Sequence, residues 1–402
     1  MECYLRTLRG INEIRVVRAL CEEGALSRAA LANMLNLSRA ALTIITQKLA
    51  DKNLILEVGK GTSTDRGGRR EVLLSVNQRA GIILSIELEV EYAQFAMMDI
   101  NAAFIDRGRI TYAKETPIEK ILDEIILKLK AFIEKENIYE KHIIGVGICL
   151  PGILDYDKGT LRESYTLGRW QDFRLREYIE NNLNLPTFIE NDVKALTLGE
   201  FQFGAGKNVT DLVCLWIGDG IGAGIIVNNQ LLHGSTSSAG EIGYNEDKLL
   251  LLKEDALLVN DADKNWGQIL TLNNLRSAVR RGKEQGWQTE LEMNATIEQI
   301  IEAAEANDPL ALHLFKLFGK ILGSVCSNLI YTLNPPLVIL SGALFEESTI
   351  VVDEIRQYVA KGILRTPIES VSIKSAKLGE EAMLLGAAAL VLDDLFHFPV
   401  YH

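Results

Sequence analysis

The strongest constraint on the fold is an alternation of strand-like and helix-like segments that begins at about residue 78. Residues 143–150 (IIGVGICL) and 212–217 (LVCLWI) are short, continuous apolar runs, which are typical of strands buried on both faces of a sheet. Residues 119–134 instead repeat apolar side chains at helical spacing along one side. Strands that alternate with helices in this way predict an α/β fold for residues 78–402.

The charge of the chain is distributed unevenly between a short N-terminal part and the rest. Residues 1–77 hold 12 Lys and Arg against 8 Asp and Glu, whereas residues 78–402 hold 30 against 46. The formal charge is therefore +4 in the N-terminal part and −16 in the remainder, with a total of −12. A small basic head on a large acidic body predicts a nucleic-acid-binding module, residues 1–77, joined to a body with another role.

The cysteines are scattered along the chain and include no CxxC pair. This pattern favours a reducing compartment and argues against a disulfide framework or a thiolate metal site. The N-terminal residues contain no apolar leader followed by a cleavage site, and no apolar run approaches about 18 residues. We therefore expect a cytoplasmic protein that has no membrane partner.

Near its N-terminus the sequence carries the signals of three short helices. Apolar spacing predicts the first helix, which ends at Gly24. Ser27 is the expected N-cap of a helix that runs to about Leu35, and Ser38 is that of a helix that runs to about Asp51. Two short helices joined by a tight turn form the helix-turn-helix arrangement. Its second helix enters the major groove of DNA with its N-terminal residues near the base edges.

The helix that follows Ser38 is the predicted recognition helix. Its apolar residues Ala41, Ile44, Ile45 and Leu49 are expected to face the core. The helices alone leave open one alternative, a small helical bundle that binds another protein. The candidates for DNA contact are Ser38, Arg39, Ala40, Thr43, Gln47 and Lys48.

A Gly-rich, basic hairpin follows the recognition helix. Residues 54–58 and 72–76 are expected to form its two strands. A β-wing beside a helix-turn-helix commonly contacts phosphates or the minor groove, although an exposed arginine cluster is also often a solvated loop. Besides Lys60, the tip of the hairpin holds three further candidates for DNA contact, Arg66, Arg69 and Arg70.

Three stretches of the body have patterns typical of binding sites. Asn191 and Asp192 follow an apolar strand and precede a helix, where a carboxylate serves as a general base, a hydroxyl acceptor or simply an N-cap. Glycines at every second position of residues 218–224 let a phosphate or sugar approach the backbone, and are also common in bare turns. Glu241, in the stretch AGEIGY, is a candidate acceptor of hydrogen bonds from sugar hydroxyls.

The order of these motifs resembles the ROK family (repressor, open reading frame, kinase). The run TDRGGRREVLLSVNQRAGIILSI is similar to the head-to-body junction of the family's sugar-responsive repressors, of the NagC/XylR type. Further motifs follow in the expected order over about 300 residues: GICLPGILDYDKGTL, WQDFRLREYIENNLNLPTFIENDVKALTLGEF, GDGIGAGIIVNNQLLHGSTSSAGEIG, LNPPLVILSGALF and LGEEAMLLGAAALVL.

The resemblance implies an N-terminal winged helix-turn-helix followed by a two-lobed actin-like/hexokinase-like body that holds a sugar in its cleft. The first lobe is expected at about 78–195, together with a C-terminal helix at about 380–402. The second lobe is expected at about 196–379.

The resemblance also implies roles for individual positions. Asp192 matches the catalytic base of the family's sugar kinases, and in its repressors a ligand to a sugar hydroxyl. Asn191 and Glu241 match sugar contacts. Residues 218–224 match the second phosphate loop, and Ser341-Gly342 match the adenosine-side loop.

The body departs from the family's kinases at the loop that should admit the phosphates of ATP. The kinases open this body with a DxGGT-like loop, whereas the aligned residues 87–91 here are Glu-Leu-Glu-Val-Glu. At about 4 Å, like charges repel by about 1 kcal/mol in water and by several kcal/mol near a protein surface. Side chains also fill the space that glycine leaves free. The sequence therefore predicts that ATP does not bind in the family's way and that no residue is catalytic.

A second departure concerns zinc. Family repressors usually place a His and then a CxCGxxGC run after the GEIG segment, but Tyr244 stands in place of the His and residues 245–260 contain no cysteine. A tetrahedral site of that kind needs three thiolates and an imidazole, which His233 alone does not supply. The sequence therefore predicts no metal and no cofactor. Tyr244 remains a candidate ligand contact, and Thr166 replaces a usual sugar-contacting Asn.

These features predict a DNA-binding transcriptional regulator, expected to be a repressor of genes for sugar metabolism or transport. Its body would sense a sugar or sugar phosphate without phosphorylating it. The expected partners are a double-stranded DNA operator and further copies of the chain, in a homodimer or homotetramer. Two alternatives stay open: a ligand-independent regulator that uses the body only to dimerise, and an active sugar kinase with an additional head.

Overall fold

The computed structural model describes residue 5 and residues 10–60, 71–139, 142–245, 257–258 and 265–396. These residues form two compact units. The first unit extends to Ala195 and includes the chain from Leu384 onward, and the second comprises Leu196–Met383. The predicted DNA contacts belong to the first unit, while the predicted ligand residues are divided between the two.

The N-terminal helices begin and end where the sequence predicts them. Ser27 Oγ accepts a hydrogen bond from the Ala30 N–H (3.2 Å), and Ser38 Oγ accepts one from the Ala41 N–H (3.1 Å). Both serines are therefore N-caps. The elements of this head are α1 (Ile11–Glu23), β1 (Leu26–Ser27), α2 (Arg28–Leu35), α3 (Arg39–Asp51), β2 (Ile55–Lys60) and β3 (Val72–Val76).

The strands of the head form a small sheet in the order β1-β3-β2, in which β3 pairs antiparallel with both neighbours. The predicted hairpin strands are thus present, and the first continues two residues farther than expected. The tip of the hairpin, with the candidate contacts Arg66, Arg69 and Arg70, lies outside the described residues.

The predicted inward face of α3 was wrong in part. Leu42, Thr46 and Leu49 are the buried residues of this helix, whereas Ile44 is 70% exposed. The prediction followed side-chain hydrophobicity, which places isoleucine inside and threonine outside. Thr46 is accepted in the core because its hydroxyl is satisfied: it accepts from Arg28 Nε (3.0 Å) and donates to a main-chain carbonyl one turn earlier.

The rest of the first unit is built on a five-stranded sheet in the order β10-β7-β4-β5-β6. Strands β10, β7 and β4 are parallel, and β5 and β6 are antiparallel additions. A separate hairpin of β8 and β9 follows β7. The strands are β4 (Ile82–Leu88), β5 (Tyr92–Asp99), β6 (Phe104–Thr111), β7 (Ile143–Leu150), β8 (Ile153–Asp155), β9 (Thr160–Glu163) and β10 (Thr187–Asn191).

The two faces of this sheet are covered differently. On one face, alternate residues of the strands form an apolar core with α4 (Ile118–Lys135) and α5 (Leu175–Leu183). On the other face lies the C-terminal helix α14 (Ala382–Phe396). A Cβ atom at Gly147 would lie 1.9 Å from the Ala387 carbonyl oxygen, so the close approach of α14 requires glycine at this position.

The second unit contains the sheet β13-β12-β11-β14-β15 and most of the remaining helices. Its strands are β11 (Leu212–Ile217), β12 (Ile221–Val227), β13 (Gln230–Leu231), β14 (Leu337–Ser341) and β15 (Ser372–Ser375). The helices are α6 (Asp192–Phe203, which begins in the first unit), α7 (Trp266–Ile269), α8 (Leu272–Glu284), α9 (Ile297–Glu305), α10 (Pro309–Leu333), α11 (Ala343–Glu346), α12 (Ile350–Ala360) and α13 (Arg365–Ser370).

Helix α10 is the one described helix that is long and apolar enough to cross a membrane. Its most apolar 18-residue stretch has a mean hydropathy of 1.3, and 61% of that stretch is buried inside the protein. Leu314, Phe315 and Phe318 are fully buried in the core of the second unit. Packing within the protein therefore accounts for its apolar character.

Candidate functional site

Asn191 and Asp192 lie at the junction of β10 and α6, at the carboxyl end of the parallel strands. Both are almost fully buried. Asn191 Oδ1 accepts a hydrogen bond from the Lys194 N–H (3.1 Å), and its Nδ2 donates to the Gly152 carbonyl (3.1 Å). Asp192 Oδ1 accepts one from the Val193 N–H (2.8 Å). Asn191 therefore caps α6, so the N-cap interpretation of this stretch holds for its side chain.

A row of mostly polar side chains crosses all five strands of the first unit close to this junction. The register pairs Arg109 of β6 with Gln94 of β5, Gln94 with Glu87 of β4, Glu87 with Cys149 of β7, and Cys149 with Glu190 of β10. Paired residues on neighbouring strands point to the same face of a sheet. This row lies at the carboxyl ends of the parallel strands, which is where open α/β sheets bind their ligands.

Glu87 is the central member of the row and is only 3% exposed. Its Oε1 accepts a hydrogen bond from the Tyr92 hydroxyl (3.3 Å), whereas Oε2 has no hydrogen-bond partner among the described residues. Burial raises the pKa of Glu87 to about 7. The Tyr92 hydroxyl, the charge of Arg109 and the Gln94 side chain oppose this increase, and the negative charge of Asp192 adds to it. Glu87 therefore retains its proton until the pH approaches neutrality.

Two other members of the row, Glu190 and Cys149, lie in the same acidic surroundings as Glu87. Glu190 Oε1 accepts hydrogen bonds from the Tyr156 hydroxyl and from the Asn191 N–H. Burial, followed by the negative charges of four nearby carboxylates, raises the pKa of the Cys149 thiol well above its usual value. Burial and these carboxylates therefore keep the Cys149 thiol protonated.

The acidic turn between β4 and β5 is closed by its own backbone. The Glu89 N–H donates to the Tyr92 carbonyl (2.9 Å). The Tyr112 hydroxyl donates to the Glu89 carbonyl (2.6 Å) and lies 2.7 Å from the Tyr92 carbonyl oxygen. Arg169 donates to the Val90 carbonyl (3.0 Å). A phosphate loop directs main-chain N–H groups at its ligand. Here the Glu89 N–H is used inside the turn.

Glu241 immediately precedes a single turn of 3-10 helix (Ile242–Tyr244) in the second unit, and the Tyr244 N–H donates to the Glu241 carbonyl (3.3 Å). Gly240 precedes this turn with a φ of +88°, and a Cβ atom there would lie 1.7 Å from the Ala223 carbonyl oxygen. Glycine is therefore required to bring the turn against β12. Tyr244 is 62% exposed. The four predicted ligand residues thus form two pairs, one in each unit.

The two loops that match the nucleotide loops of kinases are engaged within the second unit. The Gly342 N–H and the Ser341 hydroxyl donate to the Glu346 carboxylate (3.2 and 3.4 Å), which also lines a cavity of about 700 Å3. In the glycine hairpin between β11 and β12, a Cβ atom at Gly224 would lie 1.8 Å from Thr197 Oγ1. Packing against α6 therefore explains that glycine without a ligand.

A sequence profile of the ROK family matches residues 83–394. The chain belongs to the ROK family. It is 28% identical to a putative xylose repressor of Caldicellulosiruptor sp. (strain Rt8B.4) over 98% of both chains. It is 25% identical to the DNA-binding transcriptional dual regulator NagC of Escherichia coli (strain K12), covering 96% of this chain and 93% of that protein.

The fold also agrees with a solved ROK structure. A ROK family transcriptional regulator, a homologue of the E. coli MLC protein, superposes with a TM-score of 0.79 at 24% identity over 96% of both chains. This agreement confirms the predicted ROK fold, an α/β body preceded by a helical head.

Sequence reasoning about this ROK body missed part of the polar row. Gln94, Arg109 and Glu190 were not singled out, because no local motif marks them: Arg109 lies among other charged residues of β6, and Glu190 directly precedes Asn191 and Asp192. Glu87 was noticed only as an obstacle to phosphate. The available signal is a polar residue at the same distance from the end of each strand, which becomes visible only when the strand register is known.

Helix α3 of the ROK head exposes the residues predicted for DNA contact. The exposed Ile44 shares this helix, and its apolar side chain has the chemistry that contacts a thymine methyl group. The exposed predicted residues are Ser38, Arg39, Ala40, Thr43, Gln47 and Lys48.

Two of these candidates also have partners inside the head. Lys48 forms an ion pair with the largely buried Glu13 of α1. Gln47 Nε2 donates to Asp51 Oδ1 (2.8 Å). Arg39 makes no side-chain hydrogen bond to a described residue that competes with a base contact. Arg39 is therefore the most direct test of this surface.

Proposed function

We propose that this ROK protein is a DNA-binding transcriptional repressor of sugar-utilisation genes whose body senses a sugar. The observation that carries this proposal is the likeness over almost the whole length of the chain, head and body together, to proteins named as a putative xylose repressor and as a DNA-binding transcriptional dual regulator. The capped helix pair with an exposed second helix supports the DNA-binding part. A protein that acts on chromosomal DNA is placed in the cytoplasm.

The regulatory step follows from the two compact units. A sugar that binds one arrangement of the body better than another shifts the population toward that arrangement. In a homodimer or homotetramer, such a shift changes the distance between two DNA-binding heads. Operator affinity depends on the match between that distance and the spacing of the two half-sites. Asn191, Asp192, Glu241 and Tyr244 are the proposed sugar contacts.

The protein does not act as a sugar kinase in this proposal. The Glu89 N–H is used within its own turn, and the Gly342 N–H faces the Glu346 carboxylate. Neither group is directed at a phosphate, and the buried Glu87 opposes a phosphate near Asp192. In a coupled ADP-release assay with ATP, D-xylose and common hexoses, the protein should match its Asp192→Asn variant. Faster release by the unmodified protein would establish kinase activity.

DNA binding is tested by recovering and sequencing the fragments that the purified full chain selects from host genomic DNA. Enrichment of one inverted repeat is expected, and a matching sugar should release it. Arg39→Ala should weaken operator binding by about tenfold or more, the usual effect of removing a bidentate base contact. The matched control is Arg174→Ala, an arginine of the body that is 77% exposed and should have no effect.

Two outcomes would contradict parts of this proposal. Recovery of random fragments, or equal affinities for Arg39→Ala and Arg174→Ala, would remove α3 from DNA recognition. If specific DNA is recovered but no sugar changes either DNA affinity or thermal unfolding, the ligand-independent regulator is favoured. The exposed Tyr244, at the position of a usual sugar-contacting His, is the observation that gives this alternative its weight.

A further inference from the structure

Glu87 carries a buried oxygen that the protein itself does not satisfy. The residue is 3% exposed, yet Oε2 has no hydrogen-bond partner among the described residues. Leaving a buried polar atom unpaired usually costs about 1–3 kcal/mol, so such atoms are rare and point to a bound water or ligand. Glu87 is close enough to Asp192 for the two carboxyl groups to influence each other electrostatically.

Polar side chains, and not the apolar helix α14, border this position at the strand ends. Helix α14 covers the same face of the sheet two residues earlier along β7, at Gly147. The row of Gln94, Glu87, Cys149 and Glu190 lies beyond that contact. Glu87 therefore lies at the strand ends, within electrostatic range of Asp192 at the start of α6.

The charges here select the chemical class of the ligand. Glu87, Asp192 and Glu190 are buried carboxyl groups near Cys149, and each acts to raise the pKa of its thiol. The cation that acts on Glu87, Arg109, is stacked over the Tyr92 ring with its guanidinium 4.1 Å from the ring centre. Such a site suits hydroxyl or amine groups, which donate hydrogen bonds to carboxyl oxygens, and repels a phosphate dianion.

We propose that Glu87 and Asp192 together bind hydrogen-bond-donating groups of the effector, and that this effector is an unphosphorylated sugar. The inference rests on the proposed function and goes beyond it in two respects. It adds Glu87 to the effector site, and it excludes sugar phosphates as effectors. The carboxyl group at the start of the former phosphate loop thus serves as a ligand for hydroxyls.

The test measures sugar binding to the full chain by isothermal titration calorimetry. The panel contains D-xylose, common hexoses and N-acetylglucosamine, together with glucose 6-phosphate and N-acetylglucosamine 6-phosphate. A parent sugar should bind and phosphate esters should not. Glu87→Leu should weaken the binding of that sugar by about tenfold or more, as expected when a buried hydrogen-bonding group is removed. Glu87→Gln, which keeps the size and a carbonyl oxygen, should weaken it less.

Glu91→Gln is the matched control, because Glu91 is an exposed glutamate four residues away in the adjoining turn. Its sugar affinity should stay within about twofold, as for most surface substitutions. Operator binding and thermal unfolding without sugar show that each variant is folded. Unchanged affinity in Glu87→Leu, as expected if Oε2 binds only a water, would overturn the proposal and leave the sugar-sensing function intact.

Two other results would also contradict the proposal. Tighter binding of a 6-phosphate than of its parent sugar would show that the site accepts a phosphate. Absence of binding by every compound in the panel, with specific operator binding retained, would refute the sensing part of the proposed function and this inference with it.

Discussion

The substitution Glu87→Gln should change how the stability of the first unit depends on pH. Burial raises the pKa of Glu87 from 4.5 to about 7, with Asp192 adding to the increase and Tyr92 and Arg109 opposing it. In the unfolded chain the same carboxyl group loses its proton near 4.5. Glutamine has nearly the same shape and stays neutral at every pH, so the variant isolates the cost of ionising this one buried group.

The sign follows from which state holds the proton. Below about pH 4.5 the carboxyl group is protonated in both states and contributes no pH dependence. Between about pH 4.5 and pH 7 the folded protein keeps a proton that the unfolded chain has lost, so stability falls as the pH rises. At about 1.4 kcal/mol for each pH unit between the two pKa values, the full effect is about 3 kcal/mol above pH 7.

Hydrogen exchange of main-chain amides in β4 measures this effect in the first unit without interference from the second. Each variant is compared with the unmodified protein at the same pH, so the intrinsic pH dependence of exchange cancels. Near pH 5 the free energies of opening should differ little, and by about pH 8 Glu87→Gln should be the more stable by up to about 3 kcal/mol. Parallel pH profiles would show that Glu87 ionises at its ordinary pKa and would refute the argument.

Two further predictions concern buried contacts elsewhere. Glu200 is fully buried, and its carboxylate accepts hydrogen bonds from three main-chain N–H groups at 2.7–2.8 Å. Glu200→Gln should lower the free energy of unfolding by about 2–4 kcal/mol, because an amide replaces a charged acceptor; an unchanged thermal unfolding temperature would contradict this. Gly147→Ala places a methyl group 1.9 Å from the Ala387 carbonyl oxygen and should lower the free energy of unfolding by about 1–3 kcal/mol or more. Gly168→Ala, with open space around the Cβ position, is its control, and equal unfolding temperatures for these two variants would show that α14 does not require glycine.

Much of the fold could be predicted because its signals are local. Ser27 and Ser38 cap helices through atoms three residues away, and the buried strands are marked by continuous apolar runs. The order of the ROK motifs also identified the family, which the match over residues 83–394 confirms. Interactions of this range are present in the sequence itself, since the residues that make them are near neighbours in the chain.

The rotation of α3 was less predictable, although its limits were correct. Hydrophobicity alone placed Ile44 inside, but the structure buries Thr46 and exposes Ile44. The partner that makes Thr46 acceptable in the core, Arg28, lies 18 residues earlier. A distant hydrogen bond of this kind has no signature in a local apolar pattern.

By itself, the sequence determined that this ROK chain has a basic helical head and that its first phosphate loop is replaced by an acidic turn. Only the tertiary structure decided what Glu87 is: a nearly fully buried carboxyl group with one unpaired oxygen, beside Asp192. These two residues are more than 100 positions apart in the chain, and the strand register together with the start of α6 brings them together. Burial and electrostatic coupling, which set the pKa of Glu87, exist only after that assembly.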